Sequence, residues 1–373
     1  MKTKQLFLLS GIFALFVLTT LPSCEKEPVL CDNNTLSLEE FEKNLTASLD
    51  AENPMGYAYV ITRNGQVKAS GSSGLARSVA DGYKYMNIHE IMHVASVSKT
   101  ITTAAVLKLL DEKGVSVHAS IAPYLPSHWV QGPGISNVTF LDLLTHKAGF
   151  NEPGSQSFSA TTYDNLKSYV AAGASPTTVG YYHNAYHAMF RVIIPILWGE
   201  HAPSSGYYDE ATCNALYEQY VQEEVFQPIG VTARLNTNFH NSLLAYQDAN
   251  DPDGKGANID FSSVAGGFGW CLSANELAKF WAYLWYSDDI IDDGMRVYMT
   301  DDYAGLWNTV KNGTWGTYYC KLGGWNYGDD HWLKTAVVKF PDDTQATVFV
   351  NSNIGTSLKT IVTNAYDDAH GCF

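Results

Sequence analysis

Ser96-Val97-Ser98-Lys99 sets a hydroxyl three residues ahead of an amine, where a helix-patterned stretch from Thr100 to Gly114 begins. Residues three apart on a helix lie one above the other on the same face, so Ser96 and Lys99 are within reach of each other. A dry pocket disfavours the charged form of a lysine and brings its deprotonation toward neutral pH. The serine then has its own base beside it, the Ser-Lys arrangement of acyl-transfer catalysis. Alone the pattern is weak, because Ser23-Cys24-Glu25-Lys26 repeats it in a segment without catalytic meaning.

The elements that must position this pair are legible from caps and periodicity. Ser37-Leu38-Glu39-Glu40 reads as a capping box ahead of an amphipathic helix to about Leu49. Tyr57 to Thr62 and Gln66 to Ser70 flank Asn64-Gly65, a hairpin signal. Helical patterns follow at Ser96 to Gly114, Thr139 to Thr145, Tyr163 to Ala172, Ala185 to Trp198, Ala211 to Phe226 and Ser273 to Tyr286. Asn151 to Gly180 is rich in Gly, Ser, Pro and Thr and is expected to roof or border a pocket, while Asn236 to Asn258 reads as loop. Strands are expected at Thr317 to Leu322, Leu333 to Phe340 and Ala346 to Asn351, with Pro341-Asp342-Asp343 as a turn and Asn312-Gly313 as a hairpin turn, before a helix from Gly355 to Ala369. This order implies an α+β fold: an antiparallel sheet built from both chain ends with flanking helices, plus a helical lobe over roughly residues 115–260.

The first residues read as an export signal. Lys2 and Lys4 precede a mostly apolar run from Leu6 to Leu21, and Leu21-Pro22-Ser23-Cys24 places a small residue before cysteine. That resembles a bacterial lipoprotein signal over residues 1–23, with Cys24 carrying the lipid, residues 24–35 as tether and residues 36–373 as the folded domain. The expected location is the cell envelope, on the periplasmic or surface side of a membrane. The formal net charge of −15 becomes more negative once Lys2 and Lys4 are removed. Such a surface argues against nucleic acid and against electrostatic docking on anionic lipid. Beyond Cys24 the cysteines are Cys31, Cys213, Cys271, Cys320 and Cys372, too widely spaced for a zinc framework. In an oxidising compartment the expected bridges are Cys31–Cys372 and Cys271–Cys320. His183 and His187 stand four apart but lack the intervening glutamate of a helical zinc pair, so packing or solvent exposure is the expected role. His146 reads as a structural hydrogen-bonding residue after its short helix. Of the aromatic excess, Tyr181, Trp270, Trp315, Trp325 and Trp332 are candidates to line a cleft.

Downstream of Ser96 the chain runs through Thr139 to Gly149 (Thr-Phe-Leu-Asp-Leu-Leu-Thr-His-Lys-Ala-Gly), Tyr182-His183-Asn184 and Phe226-Gln227-Pro228-Ile229-Gly230-Val231-Thr232. Ala265-Gly266-Gly267-Phe268-Gly269 and Lys321-Leu322-Gly323-Gly324 complete the series. Together and in this order they resemble the serine β-lactamase and penicillin-binding-protein superfamily, closest to its class C branch, which also holds esterases, D-stereospecific peptidases and amidases. The resemblance covers roughly Tyr57 to the C-terminus and implies the β-lactamase/transpeptidase-like fold, with no cofactor and no metal. Tyr85-Met86-Asn87 and Tyr163-Asp164-Asn165 also read Y-x-N, but the first precedes the nucleophile and the second lacks the aromatic-rich helix that follows Asn184. Lys321 is preferred to Lys311 for the last motif because it leads, on a strand, into paired glycines.

Carried onto these positions, the family chemistry gives Ser96 as nucleophile, and Lys99 as its base or as the charge that acidifies a neighbouring tyrosine. Tyr182 would relay a proton, Asn184 would orient Lys99 or substrate, and Lys321 would supply a positive field. The oxyanion would lie between the N–H groups of Ser96 and Gly324, beside Gly323. One departure stands out. Family members that cleave antibiotics or peptidoglycan usually have threonine or serine where this chain has Leu322, and that hydroxyl helps bind a substrate carboxylate. Either the side chain faces away, as alternation along a strand allows, or the substrate lacks that carboxylate. The expected function is a serine hydrolase of a small-molecule or peptide ester or amide. The alternatives are a DD-peptidase or β-lactamase, and a binding or sensor lipoprotein that does not turn over.

Overall fold

The computed structural model describes residues 35–151, 158–238, 240 and 242–371. The leader, Cys24 and the expected Cys31–Cys372 bridge therefore lie outside the described residues. Among these residues no helix is long and apolar enough to cross a membrane.

The chain opens as its caps dictate. Ser37 accepts a hydrogen bond from the Glu40 N–H and starts α1, Leu38–Ala51, whose Phe41, Leu45 and Leu49 point inward. The strands are β1 (Gly56–Arg63), β2 (Gln66–Arg77), β3 (Lys84–Tyr85), β4 (Ile91–His93), β5 (Asn236–Thr237), β6 (Ile259–Asp260), β7 (Cys271–Ser273), β8 (Val310–Gly313), β9 (Gly316–Asn326), β10 (Trp332–Lys339) and β11 (Thr344–Val350). The remaining helices are α2 (Ser98–Glu112), α3 (Phe140–Leu144), α4 (Tyr163–Ala172), α5 (Asn184–Ala188), α6 (Phe190–Trp198), α7 (Glu210–Val221), α8 (Ala274–Tyr286), α9 (Asp293–Thr300) and α10 (Leu358–Asp367).

Seven strands form one antiparallel sheet in the order β3-β2-β1-β11-β10-β9-β8. The early hairpin and the last strand meet at its centre, with Tyr57 opposite Val350. Period-two alternation divides β1: Tyr57, Tyr59 and Ile61 enter the cluster under α1 and α10, while Ala58 and Val60 face the larger core of the helical residues. Both faces are covered, so β1 is apolar nearly throughout. Each fully buried large apolar side chain contributes about 1.5–3 kcal/mol, and Phe340 stacked on Tyr366 at 3.6 Å ties α10 to the sheet.

Two expectations shift. β9 runs through Gly323 and Gly324 rather than stopping at Leu322, and a Cβ on Gly323 would stand 2.3 Å from the Val94 carbonyl oxygen. Glycine is there for close backbone approach, not for a turn. The β8–β9 turn sits at Thr314-Trp315, because Gly313 is still paired with Gly316. The Cys271–Cys320 bridge is absent: both thiols are free and buried. Cys320 points into the core under α1 and α10, whereas Cys271 packs with Phe261 and Phe268 in a separate cluster.

Candidate active site

Ser96 stands in a single 3-10 turn, Ala95–Val97, that feeds α2, so the helix proper begins two residues later than the motif. Ala95 holds φ at +48°. This left-handed conformation costs an alanine on the order of 1–3 kcal/mol. Packing imposes it: Val94 N–H bonds to the Trp270 carbonyl at 3.0 Å and Gly323 presses on the same segment. α2 is buried almost all round, which is the mark of a central helix. Its threonines satisfy their hydroxyls on main-chain carbonyls, Thr100 on Gly305 and Thr102 on Gly266.

Lys99 is fully buried on this helix. Its Nζ lies 3.1 Å from Ser96 Oγ, 2.7 Å from Asn184 Oδ1 and 2.5 Å from the Gly267 carbonyl. Tyr182 donates from its Oη to Ser96 Oγ at 2.8 Å. Burial, helped by the charge of Lys321, pushes the Lys99 amine well below its ordinary value. Burial pushes Lys321 down to about 7. It pushes Tyr182 up to about 12, against the hydrogen bond with Ser96, which pulls it down. Burial thus favours an amine that gives up its proton readily beside a phenol that keeps its own, rather than an acidified tyrosine. The three N–H groups of an ammonium match Ser96, Asn184 and Gly267, and a neutral amine keeps the last two as acceptors and takes the Ser96 hydroxyl on its lone pair.

Lys321 and Gly323 sit on the face of β9 that meets Ser96, and Lys321 Nζ stands 4.8 Å from the Tyr182 ring centre, with Lys99 Nζ at 4.9 Å. The outer edge of β9 shows where Gly324 directs its amide. Cys320 N–H donates to Thr309 Oγ1 at 3.4 Å and Leu322 N–H to Asn308 Oδ1 at 3.0 Å. Amides alternate along a strand, so the next outward N–H is that of Gly324, at the cleft beside Ser96.

Two hollows meet at the nucleophile, sharing Ser96, Gly324 and Trp332. The larger, 530 Å³, has walls from Tyr182, Trp307, Leu322 and Leu358; the smaller, 250 Å³, from Asn184, Phe268 and Trp325. Leu322 takes the face opposite Lys321 and packs against the core under α1 and α10, with its edge in the larger hollow. Every site residue named from the sequence within the described chain is therefore gathered here: Ser96, Lys99, Tyr182, Asn184, Lys321, Gly323 and Gly324.

A sequence model of the beta-lactamase family matches residues 41–357. The chain belongs to that family. PbpX of Bacillus subtilis (strain 168) is 25% identical over 176 residues, which is 46% of this chain and 39% of PbpX. This chain thus spans well under half the length of that relative. The octameric penicillin-binding protein homologue from Pyrococcus abyssi superposes with a TM-score of 0.67 at 17% identity, covering 88% of this chain and 76% of that one. A class C beta lactamase from Rhodobacter sphaeroides superposes with a TM-score of 0.62 at 14% identity, covering 88% and 99%. At these identities the structures establish the fold, and family and fold are those of serine hydrolases.

Some of the site was not assigned from sequence. Gly267 supplies a carbonyl to Lys99, and a Cβ there would stand 2.7 Å from the Asn184 carbonyl oxygen; the paired glycines were its only signal. Trp307 and Asn308 come from a loop without a motif. Of the candidate aromatics, Trp325 and Trp332 line the cleft, Trp270 is core, Trp315 stacks on His370 at 4.2 Å and Tyr181 is exposed. His183 and His187 are buried beside His146.

Proposed function

We propose that this protein cleaves an ester or amide through an acyl-enzyme on Ser96. The observation that carries the reading is Ser96 Oγ held between a buried amine at 3.1 Å and a phenol O–H at 2.8 Å. In this mechanism the Lys99 amine takes the Ser96 proton as Oγ attacks the carbonyl carbon. The N–H groups of Ser96 and Gly324 receive the oxyanion. Tyr182 gives its proton to the leaving oxygen or nitrogen, which departs and leaves an acyl ester on Ser96 and a phenolate. A water then loses a proton to that phenolate and attacks the ester. Ser96 Oγ leaves and recovers its proton from the Lys99 ammonium, restoring the starting state.

The walls support a substrate class. Trp307, Leu322, Trp332, Leu358 and Phe268 favour a neutral, bulky acyl group. Lys334 at the rim is already bonded to Asn353 Oδ1 and the Ile354 carbonyl, both at 2.8 Å. A DD-peptidase or β-lactamase is the second reading, favoured by the fold shared with the two solved relatives; Leu322 faces mainly the core under α1 and α10, so the lost hydroxyl weighs only slightly against it. Anchoring to a membrane through lipid on Cys24 is part of the proposal, supported by the apolar run and the Leu21-Pro22-Ser23-Cys24 sequence.

Soluble protein starting near Asp32 would be treated with a fluorophosphonate, labelled penicillin and p-nitrophenyl acyl esters, beside Ser96→Ala. Ester turnover lost in the variant supports the proposal. Penicillin labelling with slow ester turnover would transfer the reading to the second class, and labelling without turnover to a sensor.

A further inference from the structure

We propose that His146 is a positioning residue that holds Tyr182 against Ser96; as a statement about catalysis this rests on the hydrolase reading above. His146 follows α3 with φ at +61° and is buried. Its carbonyl oxygen accepts the Tyr181 N–H at 2.8 Å, and its Nδ1 accepts the His183 N–H at 3.2 Å. Its ring lies 4.6 Å from the ring of Tyr182 itself. One residue therefore grips the main chain on both sides of the phenol and backs its ring.

The hydrogen bond fixes the chemistry of the imidazole. Nδ1 can accept only when unprotonated, which puts the single proton on Nε2. A second proton would remove the acceptor and release His183. The surroundings oppose that proton: His146 is sealed from water beside His187 at 4.9 Å, and burial, then His187, Lys321, Lys99 and His183, all push it well below its ordinary value. Trp307 closes the outer side, with its ring centre 5.2 Å from that of His146. Lys99 and Tyr182 are thus fixed by separate devices. The first is fixed by acceptors on α5 and at Gly267, the second by His146.

The two contributions of His146, acceptor and ring, separate by substitution. His146→Asn keeps an acceptor near the Nδ1 position and tolerates the left-handed backbone. His146→Phe keeps the ring and removes the acceptor. Crystal structures and steady-state kinetics on an alkyl ester, whose leaving group needs the Tyr182 proton, are measured for both, with His146→Ala carrying the same expectation as phenylalanine if that variant does not fold. His146→Phe is expected to open the Tyr182–Ser96 hydrogen bond beyond about 3.5 Å. It is expected to lower kcat about 10- to 100-fold with KM changed less than about threefold, as a misplaced catalytic group does. His146→Asn is expected to keep that bond near 2.8 Å and to recover most of the lost kcat. The proposal is overturned if Tyr182 stays on Ser96 in His146→Phe with kcat unchanged, or if both variants lose equally. Wild-type protein without Ser96-dependent turnover would instead remove the hydrolase reading, and the crystal structures would still decide whether His146 holds Tyr182.

Discussion

Two regions bury basic side chains completely, and they do opposite things with them. In the helical part Arg191 donates to the Ala265 carbonyl at 3.0 Å and to the Thr161 carbonyl at 2.7 Å. Burial lowers it only to about 10, so it stays charged and ties α6 to two loops. At the active site Lys99 and Lys321 are equally sealed, and among the described residues neither pairs with a carboxylate. An ammonium starts from a lower pKa and gives up its proton more readily under the same desolvation. On the proposed mechanism, identical burial makes a strut of the guanidinium and a base of the Lys99 amine.

The sharpest break of this contrast is Lys99→Arg, which installs a charge that burial cannot remove. Ester turnover is expected to fall about 10³-fold or more, measured as kcat/KM. Arg191→Met should do the reverse. It removes the donor to the Ala265 and Thr161 carbonyls, at about 1–3 kcal/mol, so Tm falls while activity per folded molecule stays near wild type.

Tyr182→Phe comes next. It removes the leaving-group proton, so the loss should reach about 10²-fold on an alkyl ester or amide and be smaller on a p-nitrophenyl ester, whose leaving group needs no proton. Paired kinetics on the two substrates check this.

Lys321 gives a pH-dependent prediction. Its folded value, about 7, lies below the ordinary lysine value of 10.5, so between those limits the unfolded chain binds more protons than the folded one. Stability from this group therefore rises with pH across that window, and its burden is full below it. Lys321→Met should raise the unfolding free energy, and with it Tm, most at and below pH 7 and least above pH 10, by about 3–5 kcal/mol at the largest. Calorimetry of variant and wild type side by side tests the sign. The smallest effect belongs to Leu322→Thr. Because that side chain faces the apolar core under α1 and α10, the change should cost about 1–2 kcal/mol in stability and raise penicillin acylation less than about tenfold.

What was legible in the sequence was local or ordered. Ser96 and Lys99 follow from helical spacing, while Tyr182, Asn184 and Lys321 follow from the resemblance to the family's ordered motifs, with the helix after Asn184 and the strand into paired glycines choosing among rival matches. What was not legible depends on contacts between distant segments. His146 reads from the sequence as a hydrogen-bonding residue, but its partner, the His183 N–H 37 positions later, is set by the fold. Gly267 meets Lys99 across 168 positions. The expected Cys271–Cys320 bridge failed because chain spacing does not say which face of β9 carries a thiol. The turn expected at Asn312-Gly313 moved because that glycine lets the Tyr318 ring approach, its missing Cβ lying 2.5 Å from the ring.

The central claim is that Ser96 is acylated with the neutral Lys99 amine as base. Its most direct test is the burst-phase rate of acylation by a p-nitrophenyl acyl ester as a function of pH, with the adduct mapped by peptide mass. The account predicts an adduct on Ser96, absent in Ser96→Ala, and a rate that levels off well below the ordinary lysine value of 10.5. A rate still rising tenfold per pH unit through pH 10, or an adduct on another residue, would contradict it.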